Sequence, residues 1–111
     1  MRLTWNPASR IIQFRDVLPA VAPRSAFQRE LRKFLAGRFD AGLPEHRRLD
    51  PERVELACTR RNGGLSIGLR AEREQEDYAT RKLMALTHEM FVYLNVKWPG
   101  YVYEHFGQGM D

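Results

Sequence analysis

The chain has 111 residues, of which 43% are hydrophobic and 29% are charged, with a formal net charge of +4. This length is usual for one domain, and the composition is that of a folded chain rather than a disordered one. The densest apolar run, residues 90–94, is far shorter than the roughly 20 residues that a membrane-spanning helix needs. We therefore expect residues 1–111 to form a single domain without a membrane segment.

Cys58 is the sole cysteine, so the chain cannot form an intrachain disulfide. A fold that depends on packing alone is typical of proteins in a reducing compartment. Residues 1–7 lack the apolar segment that a secretory signal peptide contains. These observations predict a soluble, cytoplasmic protein.

The first residues predict a β-hairpin. Apolar and polar residues alternate on both sides of the turn-forming residues 6–9. Pairing Trp5 with Arg10 would place the apolar side chains of both strands on one face. These side chains are Leu3, Trp5, Ile12 and Phe14.

Residues 25–37 predict the first helix. Ser25 and Gln28 have the spacing of a capping box, in which each side chain bonds a backbone N–H at the start of the helix. Gly37 is expected to end the helix, because glycine readily adopts the backbone conformation that closes one. The apolar residues between them recur at helical spacing, and they are Phe27, Leu31, Phe34 and Leu35.

Asn62-Gly63 is the strongest turn signal in the chain, because these two residue types tolerate the positive φ angles of a two-residue hairpin loop. Alternating apolar residues flank it, in 54–58 and 65–69. A loop of these two residues sets the register of the two strands. The opposed pairs are then Cys58 with Ile67, Leu56 with Leu69, and Glu55 with Arg70.

A helix is the alternative for residues 52–61. Asp50 and Pro51 would be a good capping residue and first helical residue for it. We prefer the strand, because residues 65–69 need a partner and the predicted register contains an opposite-charge pair.

Residues 74–95 predict the longest helix, whose acidic first turns suit the positive end of the helix dipole. Leu86 lies at the centre of its apolar stripe and His88 lies on the opposite side. Pro99 is expected to end this helix. The apolar residues after it predict either a short last strand or a docked tail, and they are Tyr101, Val102, Tyr103 and Phe106.

These elements predict the α+β class, in the order β-β-α-β-β-α with a C-terminal strand as a variant. A small antiparallel sheet of two hairpins, with two helices packed on one face, would bury every apolar stripe in the sequence.

The sequence predicts no catalytic residue, no cofactor and no metal site. The histidines lack the short paired spacing of zinc ligands. His88-Glu89 begins like the HExxH motif, but Val92 stands where the second histidine is required. Cys58 lies in an inward-facing strand pattern, which is typical of a core residue rather than a nucleophile. These features favour a protein that is not an enzyme.

Basic residues are concentrated in the first half, where residues 1–61 carry 13 basic and 7 acidic side chains. Arg side chains bind phosphates and carboxylates well, because the planar guanidinium can bond two oxygens. The predicted contact residues for nucleic acid or a partner lie on the exposed face of the first helix and beside the second turn. They are Arg29, Arg32, Lys33, Arg60 and Arg61.

The C-terminal aromatic residues are the second candidate contact site. Projecting Trp and Tyr side chains are enriched at protein interfaces. The predicted aromatic anchor consists of Trp98, Tyr101 and Tyr103.

Three functions follow as hypotheses. The first is a small binding or adaptor module that acts through contacts with a protein partner or as a homodimer. The second is a nucleic-acid-binding domain that uses the basic N-terminal half. The third is a small enzyme whose site assembles only on folding, with His46, Glu104 and His105 as candidates.

Overall fold

The computed structural model describes residues 2–107. It confirms the α+β class and the antiparallel sheet, and it contains three α-helices where two were predicted. The elements are β1 (Arg2–Asn6), β2 (Ile11–Leu18), α1 (Ala26–Gly37), a 3₁₀ turn (Glu45–Arg47), β3 (Val54–Arg61), β4 (Gly64–Ala71), α2 (Glu76–Lys97) and α3 (Pro99–Phe106).

The four strands lie in the order β1-β2-β4-β3, and every neighbouring pair is antiparallel. The predicted register of the second hairpin is confirmed, with Cys58 opposite Ile67 and Leu56 opposite Leu69. Asn62 and Gly63 have φ angles of 52° and 81°, as a two-residue hairpin loop requires. The helix that was the alternative for residues 52–61 is therefore wrong.

The predicted register of the first hairpin is wrong by two residues. Trp5 lies opposite Ile12, not Arg10. The loop has the expected four residues but lies one residue farther along the chain, at 7–10, because Asn6 is the last residue of β1 and organises the turn. The Asn6 side-chain oxygen accepts a hydrogen bond from the Ala8 N–H at 2.9 Å, and its carbonyl accepts one from the Arg10 N–H at 2.7 Å. A shift of two residues preserves the faces of a strand, so the four apolar side chains still share one face.

α1 begins as the sequence predicts, with the Ser25 hydroxyl accepting a hydrogen bond from the Gln28 N–H at 3.1 Å. The Gln28 side chain instead accepts a hydrogen bond from the guanidinium of Arg60 on β3. Gly37 lies within the last turn of α1, and Arg38 follows as the C-terminal cap. The Arg60–Gln28 bond holds α1 beside β3.

α2 packs on β4 and β2. The predicted buried face of α2 is confirmed, because Leu86 is buried and His88 is exposed. Phe34 of α1 stacks on Tyr93 of α2, with ring centroids 4.5 Å apart. The two helices therefore lie side by side, with α1 toward β3.

The predicted C-terminal strand is wrong, because residues 99–106 form α3. Pro99 occupies the first helical position, where its missing N–H costs nothing. Val102 and Phe106 are one helical turn apart; Val102 is buried, and Phe106 meets Phe91 of α2 edge to face at 5.3 Å. Within residues 2–107, no helix is long and apolar enough to cross a membrane.

Candidate functional site

The edge strand β1 carries two large apolar side chains that the rest of the fold covers only in part. Leu3 lies opposite Phe14 and Trp5 lies opposite Ile12, which places both on the sheet face that carries α2. Leu3 nevertheless remains 39% exposed and Trp5 42% exposed. An edge strand also presents unpaired backbone N–H and C=O groups to any extended chain that approaches it.

A third exposed apolar side chain, Met84, lies on α2. One flank of α2 contacts α1 and the 3₁₀ turn through Tyr93 and Lys82. The opposite flank starts at Glu76, which forms a 2.8 Å ion pair with Arg10 at the start of β2. Met84 lies eight residues after Glu76, about 80° farther around the helix, and it is 54% exposed. We call Leu3 and Trp5 the β1 face.

The other edge of the sheet, β3, differs in character. Its exposed residues include Glu55, Arg60 and Arg61, and charged side chains on an edge strand discourage pairing with a second chain. A groove of about 440 Å³ lies beside the start of β3, between Leu56 and Phe39. Of the two edges, only β1 combines unpaired backbone with exposed large apolar side chains.

The structure brings the predicted basic residues of α1 onto one exposed strip. Arg29, Arg32 and Lys33 are all exposed. The Arg29 guanidinium donates a 2.8 Å hydrogen bond to the carbonyl of Arg24, so it holds the start of the helix. Within residues 2–107, the side chains of Arg32 and Lys33 make no hydrogen bond or ion pair.

Arg60 and Arg61 do not join that strip as a pair of solvated charges. The guanidinium of Arg60 donates hydrogen bonds to the Val21 carbonyl and to the Gln28 side chain, so it fastens the connector and α1 to β3. Arg61 lies beside the hairpin loop, opposite Gly64, and its side chain is on the opposite sheet face from that of Arg60.

Two residues of the predicted aromatic anchor pack inside the fold and one projects from it. Trp98 and Tyr101 both pack on Phe27 of α1, with ring-centroid distances of 5.3 Å and 4.4 Å. The Tyr101 hydroxyl also donates a hydrogen bond to the carbonyl of Pro19, and burial raises the pKa of this hydroxyl. Tyr103 alone projects, with 71% of its surface exposed.

Within residues 2–107, the histidines proposed for an enzyme site, His46 and His105, lie in different elements. His46 lies in the 3₁₀ turn, whereas His105 packs on Tyr101 at the far end of the helix layer, 4.6 Å between ring centroids. Burial raises the pKa of the Cys58 thiol to about 11, although the charge of Arg32 partly lowers it. Among the described residues, no group of three or more His, Cys, Asp or Glu side chains is placed to hold a metal ion.

Sequence reasoning identified Leu3 and Trp5 as inward-facing residues and missed their exposure. Their alternation gives the face of the strand, but not how far the helices extend over it. A partial signal is present, because Trp is enriched at interfaces.

Comparison of the chain with protein-family models, curated proteins and solved structures finds no match in any of the three.

Proposed function

We propose that this protein is a non-enzymatic binding module that acts through protein–protein contacts at the β1 face. The observation that carries the proposal is the exposure of Leu3 and Trp5 on the inner face of an edge strand. The occupant that fits best is β1 of a second copy, paired antiparallel. Such a pairing would join two four-stranded sheets into one of eight strands.

The sequence of β1 is self-complementary in one antiparallel register. Centring the pair on Thr4 places Leu3 of one copy opposite Trp5 of the other, and the two-fold symmetry repeats this contact. Arg2 then lies opposite Asn6, so no two like charges are directly opposed. Cross-strand pairs of aromatic and aliphatic side chains are among those that stabilise antiparallel sheets.

The same pairing would cover the apolar surface of the β1 face. Leu3 and Trp5 from each copy would form one apolar cluster across the joined strands. Burial of apolar surface contributes roughly 25 cal/mol per Å², and the strand pairing satisfies the edge backbone groups. We therefore expect a reversible homodimer.

Sedimentation equilibrium of the full chain tests the proposal. The unmodified protein should show concentration-dependent dimerisation, and Trp5→Lys should shift it to monomer because a charge would be placed in the apolar cluster. Val92→Lys is the matched control, since Val92 is 50% exposed on α2 but lies outside the β1 face. A monomer at all concentrations, or equal loss of dimer in Val92→Lys, would overturn the proposal.

Nucleic-acid binding through the basic half remains the second hypothesis, supported by the exposed strip of Arg29, Arg32 and Lys33 on α1. Arg29 and Arg60 each donate to acceptors in the chain, so part of the donor capacity of each is engaged, which weighs against it. Replacing the three strip residues by Gln should leave dimerisation unchanged. A steeply salt-dependent affinity for nucleic acid that this variant loses would favour the second hypothesis.

We also propose a cytoplasmic location. The sole cysteine, Cys58, is half-buried, and the core consists of apolar packing between sheet and helices. A fold of this kind suits a reducing compartment. Fractionation of the cells that express the protein would test the location.

A further inference from the structure

The sheet face opposite α2, which we call the outer face, carries a concentration of arginine side chains. Leu3, Phe14 and Ile67 lie on the face that carries α2. Successive residues of a strand point to opposite faces, so the neighbours of these three in sequence point outward. The charged residues of the outer face are Arg2, Arg15, Glu55, Arg61 and Arg70.

Arg2 of β1 and Arg15 of β2 lie directly opposite each other on the outer face. Directly opposed residues have Cβ atoms about 4.5–5.5 Å apart, and like charges in this position destabilise a sheet. Arg2 is exposed and Arg15 is half-buried, and within residues 2–107 neither guanidinium makes a hydrogen bond or an ion pair. The pair is therefore a cost to stability that no acceptor in this part of the chain offsets.

The other end of the outer face has the opposite arrangement. Arg70 lies opposite Glu55, and the Arg70 guanidinium donates a 3.3 Å hydrogen bond to the Glu55 carboxylate. An arginine on this face is thus neutralised where its cross-strand neighbour is acidic. The positive charge that is not neutralised across the strands lies at the end that holds Arg2 and Arg15.

A bulge in β2 fixes the backbone beside Arg15. The pairing register of β2 with β4 shifts after Phe14. Within the shift, the Asp16 N–H donates a hydrogen bond to the Ser66 hydroxyl at 2.9 Å, and Asp16 has a φ of 53°. A positive φ is uncommon outside glycine, and bulges often redirect a side chain beside a functional site. The exposed Asp16 carboxylate forms no ion pair with Arg2 or Arg15 within residues 2–107.

We propose that the Arg2–Arg15 pair docks an acidic segment of a protein partner. A carboxylate that lies between the two guanidinium groups would remove their repulsion and accept charge-assisted hydrogen bonds from both. The next row across the sheet includes the short side chains of Thr4 and Ala57 and the bare Gly68. The rest of the segment can therefore lie flat on the outer face.

The outer face suits a protein segment better than a nucleic acid. The carboxylates of Asp16 and Glu55 are exposed at or beside this face, and they would repel a polyanion that extends over it. The outer positions of β1 to β4 hold no aromatic side chain, whereas proteins that bind single strands stack bases on aromatic rings. A protein segment can place an acidic residue at the arginine pair and neutral residues elsewhere.

Titration with a hexaglutamate peptide, followed by backbone amide NMR at constant ionic strength, tests the proposal. The peptide should produce saturable shifts at Arg2, Arg15 and Ser66. Arg2→Glu should weaken peptide binding by about tenfold or more. The same variant should unfold at a higher urea concentration than the unmodified protein, because it turns a like-charge cross-strand pair into one of opposite charge. A purely structural role of Arg2 would not combine lost binding with increased stability.

Two further variants separate this site from other features of the chain. Arg32→Glu is the matched control, because it makes the same change of charge at an exposed residue of α1, and it should bind the peptide as the unmodified protein does. Trp5→Lys should also bind it normally, because residue 5 points to the other face of the sheet. Failure of the dimer and failure of this site are thereby distinguishable.

Arg15→Gln keeps the test decisive if Arg2→Glu folds poorly, since it removes one charge of the pair without adding an acid and should also weaken binding. Absence of saturable shifts, equal affinity in Arg2→Glu and Arg15→Gln, or reduced stability of a folded Arg2→Glu protein would overturn the proposal. Tighter binding of a single-stranded oligonucleotide that depends on Arg2 and Arg15 would also overturn it, in favour of nucleic acid.

Discussion

Gly68 of β4 lies against Gln13 of β2 so closely that a side chain at residue 68 has no space. A Cβ atom there would lie 2.5 Å from the Gln13 Cβ and 2.6 Å from the Ile12 carbonyl oxygen. β2 and β4 are the two central strands, and this approach joins the two hairpins into one sheet. Gly68 is therefore a structural requirement of the sheet.

Gly68→Ala should destabilise the fold by about 1–3 kcal/mol, the usual cost of forcing extra volume into a packed site. Urea unfolding followed by circular dichroism measures the loss. Gly37→Ala is the control, because a Cβ at residue 37 meets no atom within 4 Å. If Gly68→Ala were as stable as the unmodified protein, the central strands would have to lie far enough apart to leave room for a Cβ at residue 68.

Cys58 should react slowly with thiol reagents in the native protein. Burial raises its pKa to about 11, so at pH 8 only about one molecule in a thousand carries the reactive thiolate. The labelling rate with iodoacetamide should rise about tenfold per pH unit and level off near the raised pKa. Rapid labelling at pH 7 without unfolding would contradict this environment and would reopen Cys58 as a nucleophile.

The orientation of α2 predicts a large loss of stability at one position and a small loss two residues away. Leu86 is 3% exposed in the core, so Leu86→Ala should cost about 2–5 kcal/mol through lost burial and a cavity. His88 is exposed, so His88→Ala should change stability by about 0.5 kcal/mol or less. Thermal or urea unfolding of both variants provides the measurement, and similar losses would mean that another surface covers His88.

Substitutions of the two tyrosines of α3 should also differ in how much stability they cost. Tyr101→Phe removes the hydroxyl that donates to the Pro19 carbonyl and should cost about 1 kcal/mol. Tyr103→Phe alters a projecting side chain and should cost about 0.5 kcal/mol or less. If Tyr103→Phe were the more damaging change, the exposed ring would have a partner that the isolated chain does not show.

The second hairpin and the two longer helices could be predicted because local chemistry determines them. Asn62-Gly63 specifies a two-residue loop, and that loop alone sets the register of β3 against β4. Ser25 specifies the start of α1 through one hydrogen bond. In these elements the residues that decide the structure are adjacent in sequence.

The elements that were missed depend on contacts between distant residues. α3 forms where Tyr101, Val102 and Tyr103 favour a strand, because Val102 is buried in the core and Phe106 packs on Phe91 of α2. The pairing register between β2 and β4 shifts between Phe14 and Leu18. Asp16 lies in this irregular segment with a φ of 53°. Its N–H donates a hydrogen bond to the Ser66 hydroxyl at 2.9 Å. The exposure of Leu3 and Trp5 likewise depends on how far α2 extends over the sheet. Local sequence patterns do not predict that extent.

The contact between Arg38 and Glu89 could not be predicted for the same reason. Arg38 and Glu89 are far apart in the chain, and only the fold places them 3.8 Å apart. The sequence assigned basic residues to an exposed helix face, whereas the buried guanidinium donors without an acceptor belong to Arg38.

Disulfide trapping at Thr4 tests the central claim most directly, because pairing of β1 about Thr4 would set the two Thr4 residues opposite each other. Opposed residues of antiparallel strands have Cα atoms about 4.5–5.5 Å apart, a separation that a disulfide spans. In a Cys58→Ala background, Thr4→Cys should form a reducible covalent dimer on mild oxidation. Asn6→Cys, which would lie opposite Arg2, should not. No covalent dimer from Thr4→Cys, or equal yields from both variants, would contradict the proposed interface.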